Sequence, residues 1–179
     1  NGKAVKVRFR GASNSDDVYD ITVLMSPGDV WAAAISKDAV SGLPKLNHND
    51  NTCTLPFNVK GSFVTARLDT TVTAAERAKQ ASEGYVEILN MADIPPGSAL
   101  YTAIKHNASG VAPCTQATLN TLFTDSTSYA NAQTKGLEVP TSGLMTNWTI
   151  INVPKAASYT GAAVAVEART AGNIAGWGN

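Results

Sequence analysis

The sequence has few charged side chains and no excess of either sign. Asp, Glu, Lys and Arg make up 16% of the 179 residues, with 14 basic and 14 acidic side chains, whereas globular proteins average about 25%. A chain without net charge has no long-range field that would draw it to a polyanion. We therefore expect neither nucleic acid nor an anionic membrane surface among its partners.

Membrane and export signals are also missing from the sequence. It contains no run of about 18 apolar residues, the length that spans a bilayer, so we expect no membrane-spanning segment. It starts at Asn1 without an initiator methionine, a basic n-region or an apolar h-region. We expect the gene product to extend upstream of Asn1 and to begin with a signal peptide, which would place the protein outside the cell or on its surface.

The short motifs that mark common catalytic sites do not occur. There is no G-x-S-x-G, no H-E-x-x-H, no phosphate-binding loop and no C-x-x-C-H. Glu87 lies in a predicted strand, where a glutamate is usually solvated, and no second carboxylate stands at a spacing typical of glycosidases. We expect no enzyme. A hydrolase that uses Glu87, or a Ser-His-Asp triad assembled in space with His106, is the least favoured function.

Cysteine is rare, with only Cys53 and Cys114 in the chain. Their spacing is not that of a zinc site. Two free thiols in a cytosolic protein are one interpretation, but the low charge and the Ser-, Thr- and Asn-rich loops favour a disulfide in an exported protein. A Cys53–Cys114 bridge would close a loop of about 60 residues and stabilise the fold by roughly 4 kcal/mol.

Alternating apolar residues predict strands along most of the chain. Residues 4–10 place Val5, Val7 and Phe9 on one face and basic side chains on the other. This segment is either an ordinary strand with a solvated basic face or a terminal strand that pairs with a neighbouring subunit. In the second case Val5, Val7 and Phe9 are the subunit contacts. Further strands are predicted over residues 54–59, 62–68, 84–92, 144–153 and 159–168.

Residues 19–35 predict a hairpin. An alternating run ends at Met25, the sequence SPGD at residues 26–29 has the chemistry of a type II turn, and a second alternating run follows around Trp31. We therefore expect a strand, a turn and a second strand.

Short helices are predicted over residues 73–82, 98–106 and 114–123. Thr73 with Glu76 forms a capping box for the first helix, and the third has apolar residues at helical spacing. Residues 124–136 predict a loop. The pattern indicates a mainly β fold, an antiparallel β-sandwich of jelly-roll or Ig-like type with a helical insertion around residues 93–123. We expect one domain over residues 1–169 and a glycine-rich tail over residues 170–179.

An Asn- and Asp-rich loop offers weak candidates for a metal site. Asn47, Asn49, Asp50 and Asn51 carry the hard oxygens that calcium prefers, but the glycine and bidentate glutamate of an EF-hand are missing. Asx turns explain the same residues without a metal. Calcium is the only cofactor that this sequence suggests.

Several segments together resemble one group of proteins. VKVRFRGASNSDDVYDITVLMSPGDVW, GYVEILNMADI, GVAPC and SGLMTNWTIINV, spread over residues 5–153, are similar to segments of largely uncharacterised secreted bacterial surface proteins. Those proteins have a V-R-F-R strand followed by an L-S-P-x-D-V-W hairpin. The resemblance implies a secreted cell-surface protein and brings no catalytic residues with it.

The sequence leaves two main functions open. The first is an exported structural protein, a subunit of an extracellular filament or surface assembly that contacts copies of itself through strands. The second is a carbohydrate- or ligand-binding adhesion module in which Trp31, Trp148 and Trp177 form a stacking platform. Because Trp31 and Trp148 are expected in the core, the structural protein is favoured.

Overall fold

A computed structural model describes residues 1–123 and 129–164, and side chains are described outside residues 123–131. The end of the predicted strand at residues 159–168, the tail and Trp177 lie outside these ranges. The strands are β1 (Gly2–Gly11), β2 (Asp17–Met25), β3 (Ala34–Lys37), β4 (Pro44–Asn47), β5 (Cys53–Leu55), β6 (Gly61–Ser62), β7 (Gly84–Ile94), β8 (Asn147–Asn152) and β9 (Ala157–Ala162). The helices are α1 (Ala74–Gln80), α2 (Ala99–Ile104), α3 (Gln116–Phe123) and α4 (Tyr129–Thr134).

The main sheet has the order β5-β2-β1-β7, and every neighbouring pair is antiparallel. The first strand of the chain is therefore an interior strand. Val7 of β1 lies opposite Ile21 of β2 on one side and opposite Ile88 of β7 on the other. Directly opposed residues share a face of the sheet, so these apolar side chains form one row across three strands.

The prediction that β1 contacts a neighbouring subunit is wrong for this fold. Both edges of β1 are occupied by strands of its own chain. Val5, Val7 and Phe9 are buried among residues of the same chain. Their alternation arises from burial inside the domain, so β1 has no free edge to give to a second copy.

A smaller sheet, β3-β4-β6, packs against this buried face. Leu46 of β4 and Phe63, which follows β6, are buried in the same cluster as the β1 side chains. Ring centroids of Phe63 lie 5.1 Å from Phe9 and 5.4 Å from Tyr19. The prediction of a mainly β fold with antiparallel sheets is confirmed, and the shared core is compatible with a β-sandwich.

Short helices cover part of the opposite face of the main sheet. Leu100 and Ile104 of α2 and Leu119 of α3 are fully buried with Ala92 and Ile94 of β7. The predicted helices at residues 98–106 and 114–123 are confirmed. The loop predicted over residues 124–136 is wrong in part, because α4 occupies residues 129–134.

The predicted disulfide is confirmed. Cys53 and Cys114 are bonded, with Cα atoms 6.3 Å apart. Cys53 lies on the outer strand β5, and Cys114 lies two residues before α3. The bond therefore joins the helical layer to the edge of the main sheet. Both residues belong to the cluster that the helices bury.

The turn predicted at residues 26–29 forms, but the strand predicted after it does not. Asp29 N donates to Ser26 O at 3.1 Å, and Gly28 has a φ of +78°, a backbone conformation that favours glycine. Residues 30–33 have no strand conformation. Because β1 and β5 occupy the two edges of β2, the chain after the turn cannot pair with β2. It instead joins the smaller sheet as β3.

Strands β8 and β9 form a separate two-stranded antiparallel hairpin. A single 3₁₀ turn over Val153–Lys155 connects them, and Asn152 caps it by accepting a hydrogen bond from Lys155 N. Ala156 then adopts a left-handed conformation with a φ of +48° and returns the chain into β9. Across the described residues, the helices are too short and too polar to cross a bilayer.

Candidate functional site

The hairpin β8–β9 has one apolar face that nothing in the described residues covers. Trp148, Ile150 and Tyr159 share this face, because Ile150 lies directly opposite Tyr159 and Trp148 lies two residues before Ile150. Their exposed fractions are 45%, 60% and 63%. Exposed apolar residues that occur singly are ordinary, but a contiguous set on one face marks an interaction site.

Trp148 is held in place on this face by a cross-strand contact. A Cβ atom on the opposing Gly161 would lie 2.7 Å from Cζ2 and 2.9 Å from Cε2 of the indole. The ring therefore lies directly over the glycine backbone, and the absence of a side chain at Gly161 makes room for it. The expectation that Trp148 is a core residue is wrong, whereas Trp31 is half-buried against the core cluster.

Charge is almost absent from the hairpin. Lys155, at the tip, is the only charged residue in the sequence from Leu144 to Val164. The opposite face is more polar, with Thr149, Thr160 and Ser158 around Ile151. The hairpin therefore lacks the charged side chains that normally keep strand edges apart in solution.

The second open feature is the outer edge of β7. Among the described residues, the only backbone pairing across this edge joins Asp93 to Glu138, at the end of the strand. Tyr85, Val86 and Leu89 are exposed along the rest. An edge strand with unpaired N–H and C=O groups and apolar side chains is a template for an additional strand.

The pairing near Asp93 is fixed by a buried carboxylate. The Asp93 side chain accepts hydrogen bonds from Lys3 Nζ at 2.6 Å, Thr141 Oγ1 at 2.6 Å and Thr141 N at 3.1 Å. Burial would raise the pKa of Asp93, but the hydrogen bonds from Lys3 and Thr141 outweigh it and lower the pKa below its ordinary value. Asn90 Nδ2 also donates to Thr141 O at 2.6 Å. The segment that contains Glu138 and Thr141 therefore lies beside β7 from Asn90 to Asp93.

His106 does not form a catalytic triad with its neighbours. Its Nδ1 lies 3.1 Å from Ser26 Oγ and 3.6 Å from Asp29 Oδ2. In a triad the two ring nitrogens serve different partners, one the nucleophile and the other the carboxylate. Here both partners approach the same nitrogen. The contacts instead join the turn at residues 26–29 to the end of α2.

Glu87 lies in a cross-strand ion pair. Arg10 Nε donates to Glu87 Oε2 at 3.0 Å, and this hydrogen bond is the main cause that raises the pKa of Arg10. The glutamate is half-buried and points to the face of the sheet that carries the basic residues of β1. Its contacts are those of a structural ion pair.

Three of the four candidate metal ligands make hydrogen bonds within the protein, and the fourth is exposed. Asp50 accepts hydrogen bonds from Thr52 N at 2.8 Å and Ala32 N at 3.1 Å. Burial would raise the pKa of Asp50, but the hydrogen bonds from Thr52 and Ala32 lower it overall. The side chains of Asn47, Asn49 and Asn51 do not join it: Asn47 donates to Ser36 Oγ, Asn51 donates to Gly110 O, and Asn49 is exposed. The described residues contain no group of three His, Cys, Asp or Glu side chains placed for a metal.

A buried polar pair lies beside this loop. His48 is 6% exposed, and neither of its ring nitrogens has a hydrogen-bond partner among the described residues; the same holds for Nε1 of Trp31. The two rings are 6.1 Å apart. Unpaired buried polar atoms are costly, so this pair is a local weakness of the fold.

One shallow cleft of about 180 Å³ lies at the start of β2. Val18, Tyr19, Val59 and Val64 line its apolar part. Burial raises the pKa of the Tyr19 hydroxyl, with a smaller contribution from Asp20. Small-molecule sites usually enclose about 300–1,000 Å³, so the exposed hairpin and the β7 edge are the stronger candidates.

The features described define a mainly β protein with antiparallel sheets, a disulfide-linked helical layer and a hairpin with exposed apolar side chains. Comparisons of the chain with protein-family models, with curated proteins and with solved structures found no match. The resemblance to secreted bacterial surface proteins stays a prediction.

The strands β8 and β9 were predictable from the sequence, but the exposure of their apolar side chains was not predicted. The sequence did contain a pattern that could have indicated this exposure, because Trp148, Ile150 and Ile151 place large apolar side chains on both faces of one short strand without any acidic residue nearby. Such a strand is either buried on both sides or lacks a partner. Alternation alone does not distinguish the two.

Proposed function

We propose that the protein is an exported structural subunit that assembles with copies of itself through strand contacts. The observation that carries this proposal is the uncovered face formed by Trp148, Ile150 and Tyr159. An isolated two-stranded hairpin is marginally stable in water. A partner that covers the apolar face would stabilise the hairpin and remove its side chains from solvent.

Covering the apolar side chains of this face would supply part of the free energy of association. Full burial of a large apolar side chain is worth roughly 1.5–3 kcal/mol. Trp148, Ile150 and Tyr159 are about half exposed, so covering each would contribute roughly 1 kcal/mol. Backbone hydrogen bonds to an added strand would fix the geometry of the contact.

The disulfide supports the exported location. Disulfide bonds persist in oxidising compartments, and reducing systems keep most cytosolic thiols free. Cys53 and Cys114 are buried and bonded, and they connect the helical layer to the main sheet. A bond in that position has a structural role that suits a protein exposed outside the cell.

The test compares wild type with a variant in which Ile150 and Tyr159 are both replaced by Thr, a residue that keeps strand propensity. Sedimentation velocity over a concentration series and negative-stain electron microscopy are the readouts. We expect wild type to form larger species and the variant to stay monomeric. A Val40→Thr variant is the control, since Val40 is 97% exposed and lies in the loop between β3 and β4. Wild type that remains a monomer at high concentration would contradict the proposal.

The second candidate is a glycan-binding module. Trp148 and Tyr159 place two aromatic rings on one exposed face, and aromatic faces stack on sugar rings. Titration of the intrinsic fluorescence with a panel of glycans tests this function. A saturable change that disappears in Trp148→Ala would favour it, and an unchanged spectrum would eliminate it.

A further inference from the structure

We infer that the hairpin β8–β9 of one copy adds to the open edge of β7 in the next copy and extends the main sheet from subunit to subunit. This inference rests on the proposed self-assembly and names the two surfaces that would carry it. The occupant of the β7 edge is thus a second copy of this chain.

The lengths of the two elements agree. The segment that contains Glu138 and Thr141 lies beside β7 from Asn90 to Asp93, and among the described residues no strand lies beside the six residues 84–89 on that edge. β8 and β9 each contain six residues. A strand of the hairpin therefore fits beside residues 84–89 without overlapping the segment that contains Glu138 and Thr141.

The apolar faces also agree. Val86 and Ile88 of β7 lie opposite Phe9 and Val7 of β1, on the buried face of the main sheet. Val86 is nevertheless 51% exposed, because the sheet ends at β7. A hairpin whose apolar face lies on that same side would cover Val86 and continue the hydrophobic row.

Neither surface carries the features that prevent edge-to-edge pairing. Natural edges use lysine, proline, bulges or inward-pointing charges. Residues 84–89 contain a single charge, Glu87, and Arg10 neutralises it within the subunit. The strands of the hairpin contain no charged residue, since Lys155 lies in the turn.

The two surfaces are different parts of the molecule, so the contact is heterologous. A heterologous contact leaves one free hairpin and one free edge on every pair and repeats unless the rotation closes a ring. A two-fold contact between two hairpins would instead end at a dimer. The predicted product is an open chain of subunits.

The experiment uses two charged variants that each block one surface. Val86→Lys with Leu89→Lys blocks the edge, and Ile150→Lys blocks the hairpin, since lysine is the residue that natural edges use against pairing. Val40→Lys is the matched control. All the replaced side chains are exposed, and circular dichroism with thermal melting verifies that each variant folds. Oligomeric state is measured by sedimentation velocity, for each variant alone and for the two blocked variants mixed in equal amounts.

We expect each blocked variant to remain monomeric at about ten times the concentration at which wild type assembles, a shift of about 1.4 kcal/mol. The equimolar mixture should form a dimer and nothing larger. The edge variant keeps an intact hairpin, and the hairpin variant keeps an intact edge. One productive contact forms, and the two remaining surfaces are both blocked.

Other outcomes overturn the inference in distinguishable ways. If the edge variant dimerises alone, the hairpins pair with each other. If the hairpin variant still forms large species, self-assembly does not use the hairpin, and the proposed function loses the observation that carries it. If the edge variant still forms large species, or if the mixture stays monomeric, the hairpin does not add to the β7 edge, and the inference fails while the proposed function stands. If wild type itself remains a monomer, the inference and the proposed function fail together.

Discussion

Removing the Cys53–Cys114 disulfide is expected to lower the free energy of unfolding by about 4 kcal/mol. The two cysteines are 61 positions apart, and in the chain-entropy account the penalty of closing such a loop in the unfolded chain amounts to about 4 kcal/mol. For a chain of this length, each kcal/mol shifts the melting temperature by roughly 2–4 °C. The double variant Cys53→Ala with Cys114→Ala should therefore melt roughly 8–16 °C lower.

The assay is urea unfolding followed by circular dichroism, together with a thermal melt. Wild type reduced under native conditions is the matched control, because it loses the bond and keeps both sulfur atoms in the core. The reduced protein and the alanine variant should differ only by the packing of two small side chains. A decrease in melting temperature below about 2 °C, less than 1 kcal/mol, would refute the reasoning and show that the loop is already restricted without the bond.

Three further changes test other parts of the structure. Asp93→Asn should destabilise the fold by roughly 3 kcal/mol at neutral pH, because Lys3 loses its counter-ion. The pKa of Asp93 is lowered below 3.8 in the folded protein, so its charge contributes fully to stability above that pH, and the contribution is lost as the pH falls through the folded-state pKa. Urea titrations should therefore show that the difference in free energy of unfolding between wild type and variant becomes smaller in that pH range. A difference that stays constant would contradict a contribution from the charge of Asp93. Gly161→Val should displace the Trp148 indole and shift its fluorescence to longer wavelength with little change in melting temperature, whereas an unchanged spectrum would mean that the ring does not lie over the glycine. His48→Leu should stabilise by about 1 kcal/mol in thermal melts, because it removes two unpaired buried nitrogens, and a loss of stability would mean that those nitrogens have partners in solution.

Local patterns predicted several of the individual elements, whereas the strands predicted over residues 54–59 and 62–68 are wrong in length, because only β5 (Cys53–Leu55) and β6 (Gly61–Ser62) form there. The alternation in β1 and β7 and the helical spacing in residues 114–123 correspond to observed elements, because burial on one face and capping by a nearby hydroxyl are decided within a few residues. Thr115 Oγ1 accepts a hydrogen bond from Thr118 N at 3.1 Å, as a cap should. The disulfide was also predictable, since the chain offers only one possible pair.

Strand partners were not predictable from the same patterns. The SPGD turn at residues 26–29 has good turn chemistry, yet whether a second strand follows depends on which edges of β2 are already occupied. One of the two interpretations of β1 left it free to pair with another subunit, because it begins the sequence. Its second edge is instead taken by β7, which begins 73 residues after β1 ends, and no local pattern records that pairing.

The exposed surface was the least predictable part of the candidate site. Trp148 was expected in the core because its size and alternation fit a buried strand equally well. Whether Trp148 is buried or exposed depends on the rest of the molecule, and no described element covers that face of the hairpin. The oxygens of Asp50 were similarly ambiguous in the sequence, because an Asx turn and a cation use the same lone pairs.

The interior position of β1 also decides the order in which the sheet can close during synthesis. β1 and β2 are joined by a short loop and can pair early, but Gly2 meets Ile94 only after about 90 further residues have been made. Until then one edge of β1 has no strand to pair with, and its backbone N–H and C=O groups are exposed. A fragment that stops before Gly84 would keep the first two strands and leave that edge of β1 without a partner, and we expect it to aggregate at a lower concentration than the longer chain.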